Sequence, residues 1–270
     1  SDSTLKKRTV TALFWSFPDK FGQKLVYLLS SVFLMRLLAI SAYGIMGSLL
    51  IFTAISSLLI DSGFGRALIN RKEVSSIEYN SVFYFNLAIS ALLYLILFFG
   101  APLIANLFNE PFLIPVSRVL FLSLLFNGFG LIQTVILIKA SDFKTQTKVN
   151  TSALVISTAI SLVMAWKGFG VWSLVAQNVI YSFFRTILLW VYSPWRPEAV
   201  FSKSKLMSFF AFSNKLLASS AIGAIFNNIY PSIIAMFYPM QQVGYYTQAF
   251  KYQDTPFAVL SDTFRSVAML

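Results

Sequence analysis

The sequence predicts an all-α integral membrane protein, a polytopic helical bundle in which a six-helix lobe is repeated and the second lobe is truncated after two helices. Three observations support this fold class. The chain is 57% hydrophobic and only 11% charged, with a mean hydropathy of +0.72, whereas soluble domains carry roughly 25% charged residues. Long apolar segments alternate with short polar links. A short phrase near the start of the chain also recurs near its end.

Eight apolar segments follow one another along the 270 residues, each near or above the roughly 20 residues that span a bilayer. They cover residues 10–38, 43–60, 82–107, 116–138, 149–166, 171–192, 207–237 and 244–270. Turn-forming residues separate neighbouring segments, as in Asn109–Pro111 and Gly168–Gly170. We therefore expect eight spanning helices joined by short loops.

A repeat relates the two ends of the chain. The phrase Phe14–Lys20 (FWSFPDK) resembles Phe209–Lys215 (FFAFSNK), and each copy opens an apolar segment. Further pairs in the same order are Tyr43 and Gly44 with Gly244 and Tyr245, then Asp61 and Arg66 with Asp262 and Arg265. Repeats of this kind are typical of transporters that bind substrate between their halves. The pattern predicts a first lobe at 1–192, a cytoplasmic linker at 193–206 and the start of a second lobe at 207–270.

The positive charge favours a membrane topology over nucleic-acid binding. Twenty-one Lys and Arg residues face ten Asp and Glu residues, for a net charge of +11, but the cations lie in short loops or singly within apolar runs. With the N-terminus placed in the cytoplasm, twelve loop cations fall on the cytoplasmic side. Only Arg118 and Lys167 fall outside, as the positive-inside rule requires for this orientation.

Several kinds of catalytic and metal site are excluded. The 270 residues contain no cysteine and no histidine, so disulfides, Cys/His metal sites and Ser-His-Asp or Cys-His triads cannot form here. The Gly-Phe-Gly triplets at 63–65, 128–130 and 168–170 lack the spacing and the preceding strand of nucleotide-binding motifs. We interpret them as turns or close helix contacts, and we expect no enzymatic activity, metal or cofactor.

Several phrases carry a family resemblance through their order and spacing. They are ALFWSF (12–17), LIDSGFGRALI (59–69), SVFYFNLAISALLYLILFF (81–99), NEP (109–111), DFK (142–144), GFGVWSLV (168–175), RTILLW (185–190) and WRP (195–197). Together they resemble bacterial polysaccharide exporters of the Wzx-like flippase type, a polysaccharide transporter family of the multidrug/oligosaccharidyl-lipid/polysaccharide exporter superfamily.

This resemblance implies both an architecture and a function. Such proteins have two six-helix lobes around a central cavity and carry undecaprenyl-diphosphate-linked oligosaccharides from the cytoplasmic to the outer leaflet. They do so for lipopolysaccharide or exopolysaccharide biosynthesis. The resemblance places the chain in the bacterial cytoplasmic (inner) membrane, with lipids and the lipid-linked oligosaccharide as partners and a polysaccharide polymerase as a candidate partner. Energy would come from an ion gradient or from downstream polymerisation.

Two lysines on the first apolar segment are candidate substrate ligands. Lys20 and Lys24 lie one helical turn apart, where like charges repel unless an anion or a carboxylate lies between them. Cations at that depth in a membrane mark functional sites by default. A diphosphate would satisfy both. In the alternative interpretation they pair with Asp19, Asp61 or backbone carbonyls and only fix packing.

Two further cations complete the predicted cationic cavity. Lys215 occupies the place of Lys20 in the second copy of the repeat, and we expect it to face Lys20 across the lobes. Arg185 lies near the cytoplasmic end of the sixth segment, where it could contact the diphosphate. In the alternative, both side chains extend to the interface, as long basic side chains often do.

Acidic residues in the spans provide candidates for ion coupling or gating. Lys251 and Asp254 are three residues apart, and form either an ion pair or a proton-carrying site. Asp61 and Arg66 form either a cytoplasmic gate or a structural pair. An ion-coupled exporter of small molecules, the alternative function, would need carboxylates in its cavity, and Asp19 and Asp254 are the available ones. We therefore favour a flippase that works by alternating access with a cationic cavity near its cytoplasmic half.

Overall fold

The computed structural model describes residues 30–61 and 63–253, with the side chains of all of these except 210–216. Within these ranges the regular structure is entirely helical, which confirms the all-α prediction. The helices are α1 (Ser30–Leu37), α2 (Ile40–Ser48), α3 (Leu50–Asp61), α4 (Phe64–Asn70), α5 (Ser76–Leu107), α6 (Leu113–Leu120), α7 (Leu122–Lys139), α8 (Phe143–Trp166), α9 (Val171–Tyr192), α10 (Lys203–Phe237) and α11 (240–253).

The described helices make this a multi-pass membrane protein. Five stretches are long and apolar enough to cross a bilayer, and the number rises to seven if each of two bent helix pairs is one span. The five are α5, α6 with α7, α8, α9 and the later part of α10 from Leu217. The bent pairs are α1 with α2, at 115°, and α3 with α4, at 41°. Every predicted apolar segment therefore contains helix wherever the structure describes it.

Polar residues and glycines set the helix boundaries. A capping box opens α5, since the Glu78 carboxylate accepts a hydrogen bond from the Ser75 backbone N–H at 3.0 Å. Asp142 caps α8 by accepting from the Thr145 N–H at 3.0 Å. Gly63 and Gly170 precede α4 and α9 at φ of 69° and 58°, a region that favours glycine. Gly63 and the triplet at 168–170 therefore lie in turns, whereas Phe64 and Gly65 begin α4.

Helices α2 and α11 cross with their backbones in contact, and each helix has a glycine at the contact. A Cβ on Gly44 would lie 1.8 Å from the Met240 carbonyl oxygen, and a Cβ on Gly244 would lie 2.0 Å from the Ile40 carbonyl oxygen. The contact is reciprocal, because the first turn of each helix meets the glycine of the other. Two non-helical residues precede each of these helices: the preceding helix ends at Leu37 before α2 and at Phe237 before α11.

The end of the bundle that lies opposite this crossing contains Arg71, Lys139 and Lys205, and we call it the basic end. Glu78, at the start of α5, forms ion pairs with Arg71 and, at 3.7 Å, with Lys205 of α10. Lys139, the last residue of α7, donates to the Leu68 carbonyl at 3.2 Å. The ends of α4 and α7 and the starts of α5 and α10 therefore meet here.

Helix α10 closes the basic end. Its Leu206 and Phe209 are buried in a cluster with Phe64, Leu68 and Val82. The linker before α10 is attached to the start of α5 by two of its backbone N–H groups. Residue 198 donates to the Asn80 side chain at 3.0 Å, and residue 202 donates to the Ser81 hydroxyl at 2.8 Å.

The helix crossing gives the first prediction. Gly44→Ala should destabilise the protein by about 2 kcal/mol or more, because the added methyl group has no space beside the Met240 carbonyl and overpacking of a close contact costs roughly 1–3 kcal/mol. Gly100→Ala is the matched control, since a Cβ on Gly100 would meet nothing within 4 Å. Melting temperatures in detergent would compare the two. Equal stability of both variants would contradict the close crossing.

Candidate functional site

A cavity of about 620 Å³ lies among α2, α3, α7, α9, α10 and α11. Six amide side chains line it: Asn127, Gln177, Asn178, Asn227, Asn228 and Gln248. Seven hydroxyl side chains line it as well: Tyr43, Thr53, Ser57, Ser123, Tyr181, Ser182 and Thr247. Lys251 contributes a cation. The cavity surface therefore combines polar and apolar groups, and its polar groups are mostly uncharged.

The cavity lies in the half of the bundle that is remote from the basic end. Helices α7 and α9 line it with their N-terminal halves, and α10 lines it near Asn227 and Pro231 in its C-terminal half. The basic end contains the opposite ends of α7, α9 and α10. At the basic end, the N-terminal part of α10 packs Leu206 and Phe209 into a buried cluster. A cationic cavity near the cytoplasmic half stays a prediction.

Hydrogen bonds already occupy part of the amide lining. The side-chain nitrogen of Gln177 donates to the Thr158 hydroxyl at 3.3 Å, and that of Asn178 donates to the Leu174 carbonyl at 3.0 Å. The nitrogen of Asn228 donates to the Ala224 carbonyl at 2.8 Å. Gln248 differs, because it is only 4% exposed and neither of its amide atoms has a hydrogen-bond partner among the described residues.

Arg185 lies on α9 one turn beyond the cavity-lining Tyr181. Its Nε donates to the Asn150 side-chain oxygen of α8 at 3.0 Å, and its Nη2 donates to the Thr134 hydroxyl of α7 at 3.1 Å. Thr134 in turn donates to the Gly130 carbonyl at 2.9 Å. The guanidinium is therefore held between helices, which corrects the interpretation that it extends to the interface. Its partners in these bonds are neutral, so they leave its charge unbalanced.

Asp61 and Arg66 line the same small cavity, together with Ser220 of α10. The Asp61 carboxylate accepts a hydrogen bond from the Gly65 backbone N–H. It also lies close against that glycine, 2.6 Å from where a Cβ would stand. The two residues therefore sit where the junction of α3 and α4 meets α10. Whether they act as a gate or as a structural pair stays a prediction.

The remaining predicted site residues are placed only in part. Lys20, Lys24, Asp19 and Asp254 lie outside the described residues, as does the side chain of Lys215. Lys251 lines the cavity. No cluster of three metal-ligating side chains occurs in the described part of the chain.

Sequence reasoning missed most of the amide lining. Two neighbouring pairs gave a signal, Gln177 with Asn178 and Asn227 with Asn228, because each interrupts an apolar run. Polar residues within spans usually face a bundle interior or a cavity. The search for buried charge alone did not consider these uncharged residues.

The position of Arg185 gives a second prediction. A double-mutant cycle with Arg185→Ala and Thr134→Val should show a coupling of about 1 kcal/mol, since hydrogen bonds between membrane helices measure roughly 0.6–1.7 kcal/mol. Unfolding of the four proteins in mixed micelles would supply the cycle. Additive effects would mean that the two side chains do not interact.

Comparisons with known proteins agree with this architecture. The model of a family described as polysaccharide biosynthesis protein matches residues 33–269. The chain is 25% identical to the teichuronic acid biosynthesis protein TuaB of Bacillus subtilis over 76% of its length and 43% of that protein. It is 24% identical to the succinoglycan biosynthesis transport protein ExoT of Rhizobium meliloti, over 94% of the chain and 51% of ExoT.

A third relative extends the same picture. The chain is 22% identical to the lipopolysaccharide biosynthesis protein WzxC of Escherichia coli, over 94% of the chain and 52% of WzxC. It thus spans about half the length of the curated relatives it matches. No solved structure matches it. Since the family match covers most of the sequence, residues 33–269, the chain belongs to the polysaccharide biosynthesis protein family.

Proposed function

We propose that the protein is a membrane transporter that moves a lipid-linked oligosaccharide, anchored by undecaprenyl diphosphate, from the cytoplasmic to the outer leaflet. One observation carries the proposal: a 620 Å³ cavity lined by amides and hydroxyls lies inside a bundle of membrane-spanning helices. Polar side chains at membrane depth face the bundle interior or a cavity of this kind, because lipid offers them no hydrogen bonds. Among the relatives, ExoT is named as a transport protein.

The chemistry of the lining favours a saccharide over a small cationic molecule. An exporter of cations would need carboxylates to hold them. Among the described residues the cavity lining includes no Asp or Glu. Amides and hydroxyls both donate and accept hydrogen bonds, as sugar hydroxyls do, so they fit the hydroxyl-rich part of a polysaccharide precursor.

Cations elsewhere in the bundle would hold the diphosphate. The proposal assigns this role to Lys20, Lys24, Lys215 and Arg185. Arg185 supports it, because a guanidinium is a strong donor to phosphate and its two described side-chain bonds are to neutral groups. Lysine acts on phosphate as a point charge.

The shape of the bundle supports alternating access. Packing of α10 on α4 and α5 and the ion pairs of Glu78 close the basic end, while the cavity lies in the other half. If the basic end faces the cytoplasm of a bacterial inner membrane, as proposed, this is the outward-facing state. Loading from the cytoplasmic leaflet then requires α10 to separate from α4 and α5. A polysaccharide polymerase on the outer side is a proposed partner.

The proposed cationic site gives a third prediction. Lys20→Ala and Lys215→Ala, made in the complete gene, should each lower surface polysaccharide at least ten-fold in a strain that lacks its own flippase, because the diphosphate loses a counter-charge. Lipid-linked precursor should accumulate inside the cell. Lys167→Ala, in the turn between α8 and α9, is the control.

The readout is surface polysaccharide at matched protein levels in the membrane. Normal export by both lysine variants would remove these residues from the proposed site. Loss of export in Lys167→Ala as well would indicate a general effect of lost charge rather than a local one.

Closure of the basic end gives a fourth prediction. Arg71 and Ser208 lie in contact there, with Nη2 and Oγ 3.4 Å apart. Joining Arg71→Cys to Ser208→Cys with a short bis-maleimide should abolish transport in proteoliposomes, since α10 could no longer leave α4. The 270 residues contain no other cysteine, and Arg71→Cys alone with the same reagent is the control. Full transport by the bridged protein would rule out opening at this end.

A further inference from the structure

The amides of this cavity come from α7 and α9, in the middle of the chain, and from α10 and α11, which follow them. Asn127 and Gln177 lie on α7 and α9, while Asn228 and Gln248 lie on α10 and α11. We propose that this cavity binds the saccharide part of the substrate through hydrogen bonds, and that Gln248 is the residue whose bonds the sugar hydroxyls complete. This inference rests on the proposed transport function and adds the residue and the chemistry by which the substrate would be selected.

The amide oxygens of the lining can accept hydrogen bonds from sugar hydroxyls. An amide side chain has an oxygen that accepts and a nitrogen that donates two hydrogens. The nitrogens of Gln177, Asn178 and Asn228 are already bonded to protein oxygens. Their oxygens accept none of the hydrogen bonds of the described residues, so they remain able to accept from a ligand. Hydroxyl groups donate as well as accept and can use such a surface.

Gln248 is the buried amide of the cavity lining whose oxygen and nitrogen both lack a protein partner among the described residues. It is 4% exposed and lines the cavity, yet both its oxygen and its nitrogen lack partners among the described residues. Buried polar side chains are nearly always hydrogen-bonded, and each exception requires an explanation. A ligand in the cavity would provide one.

Other buried polar groups show that this fold normally satisfies them. Gln133 is fully buried, and in its favourable amide orientation it donates to the Phe129 carbonyl at 2.9 Å and accepts from the Trp190 indole at 3.3 Å. The hydroxyls of Ser48 and Ser123 donate to carbonyls of the preceding turn. Asn86 shares the lack of partners with Gln248, but it does not line this cavity.

The test separates binding from folding. Gln248→Leu keeps the size of the side chain and removes an amide that no protein group satisfies, so the melting temperature should stay the same or rise. Transport should nevertheless fall at least ten-fold in proteoliposomes that hold the full-length protein and a polyprenyl-diphosphate lipid with a neutral trisaccharide. Gln242→Leu, at an exposed site on the same helix, is the control and should leave transport unchanged.

A second lipid identifies the chemistry. Its trisaccharide is fully methylated, which removes the hydroxyl donors but keeps the diphosphate and the sugar rings. The wild-type protein should move this lipid at least ten-fold more slowly than the unmodified one. Gln248→Leu should discriminate much less between the two lipids.

Each outcome has one meaning. If the wild-type protein moves neither lipid, the proposed transport function fails, and this inference fails with it. If the wild type moves the unmodified lipid and Gln248→Leu moves it equally well, transport stands and the saccharide site is overturned. A lower melting temperature together with lost transport would make Gln248 a structural residue and would also overturn the inference.

Discussion

The close crossing of α2 and α11 is the contact on which the rest of the structure depends. With glycine at positions 44 and 244, two helix backbones touch where any side chain would hold them apart. Small residues serve this purpose in membranes, where lipid gives helices no hydrophobic reason to associate. Ser232 of α10 strengthens the same junction by donating to the Ser48 carbonyl at 3.0 Å. Helix α2 is thereby joined to α10 and α11. The cavity lies beside that junction, where Gly47 and Thr247 contribute to its lining.

Polar side chains inside the bundle fall into two groups. Many serines and threonines donate to a carbonyl of their own helix, as Ser157 does with the Leu154 carbonyl at 3.0 Å, so their hydroxyl oxygens can still accept from a ligand but no longer donate to it. The second group consists of amides whose atoms are not all used, and these converge on the cavity. A guanidinium held by neutral groups stands one turn away, at Arg185. This separation of an uncharged surface from a nearby cation suits a substrate that is itself part sugar and part diphosphate, as the proposed function requires.

The all-helical, membrane-spanning fold class could be predicted from the sequence, whereas the position of the cavity could not. Segment lengths follow from the thickness of the bilayer, so the segments at 82–107 and 171–192 correspond closely to α5 and α9. The bend of 115° before α2 and the break before α7 at Phe121 left no such signal, because tertiary packing decides them. Buried charge directed attention to Lys20 and Lys215, but the polar groups that line the described cavity are amides and hydroxyls, with one cation, Lys251. An amide in an apolar run gives a weaker signal than a charge, and only the packed helices show which amides meet.

The distance along the chain between the two crossing glycines has a consequence for biosynthesis. Gly44 is inserted into the membrane long before Gly244 has been translated. At roughly 5–20 residues per second, α2 waits on the order of 10–40 s for its partner. During that interval its small-residue face, with Gly44, Gly47 and the Ser48 carbonyl, must be covered by lipid or by the insertion machinery. The contact between α2 and α11 therefore forms only after α10 has been made. A pause in translation after α10 would leave the small-residue face of α2 without its partner helix.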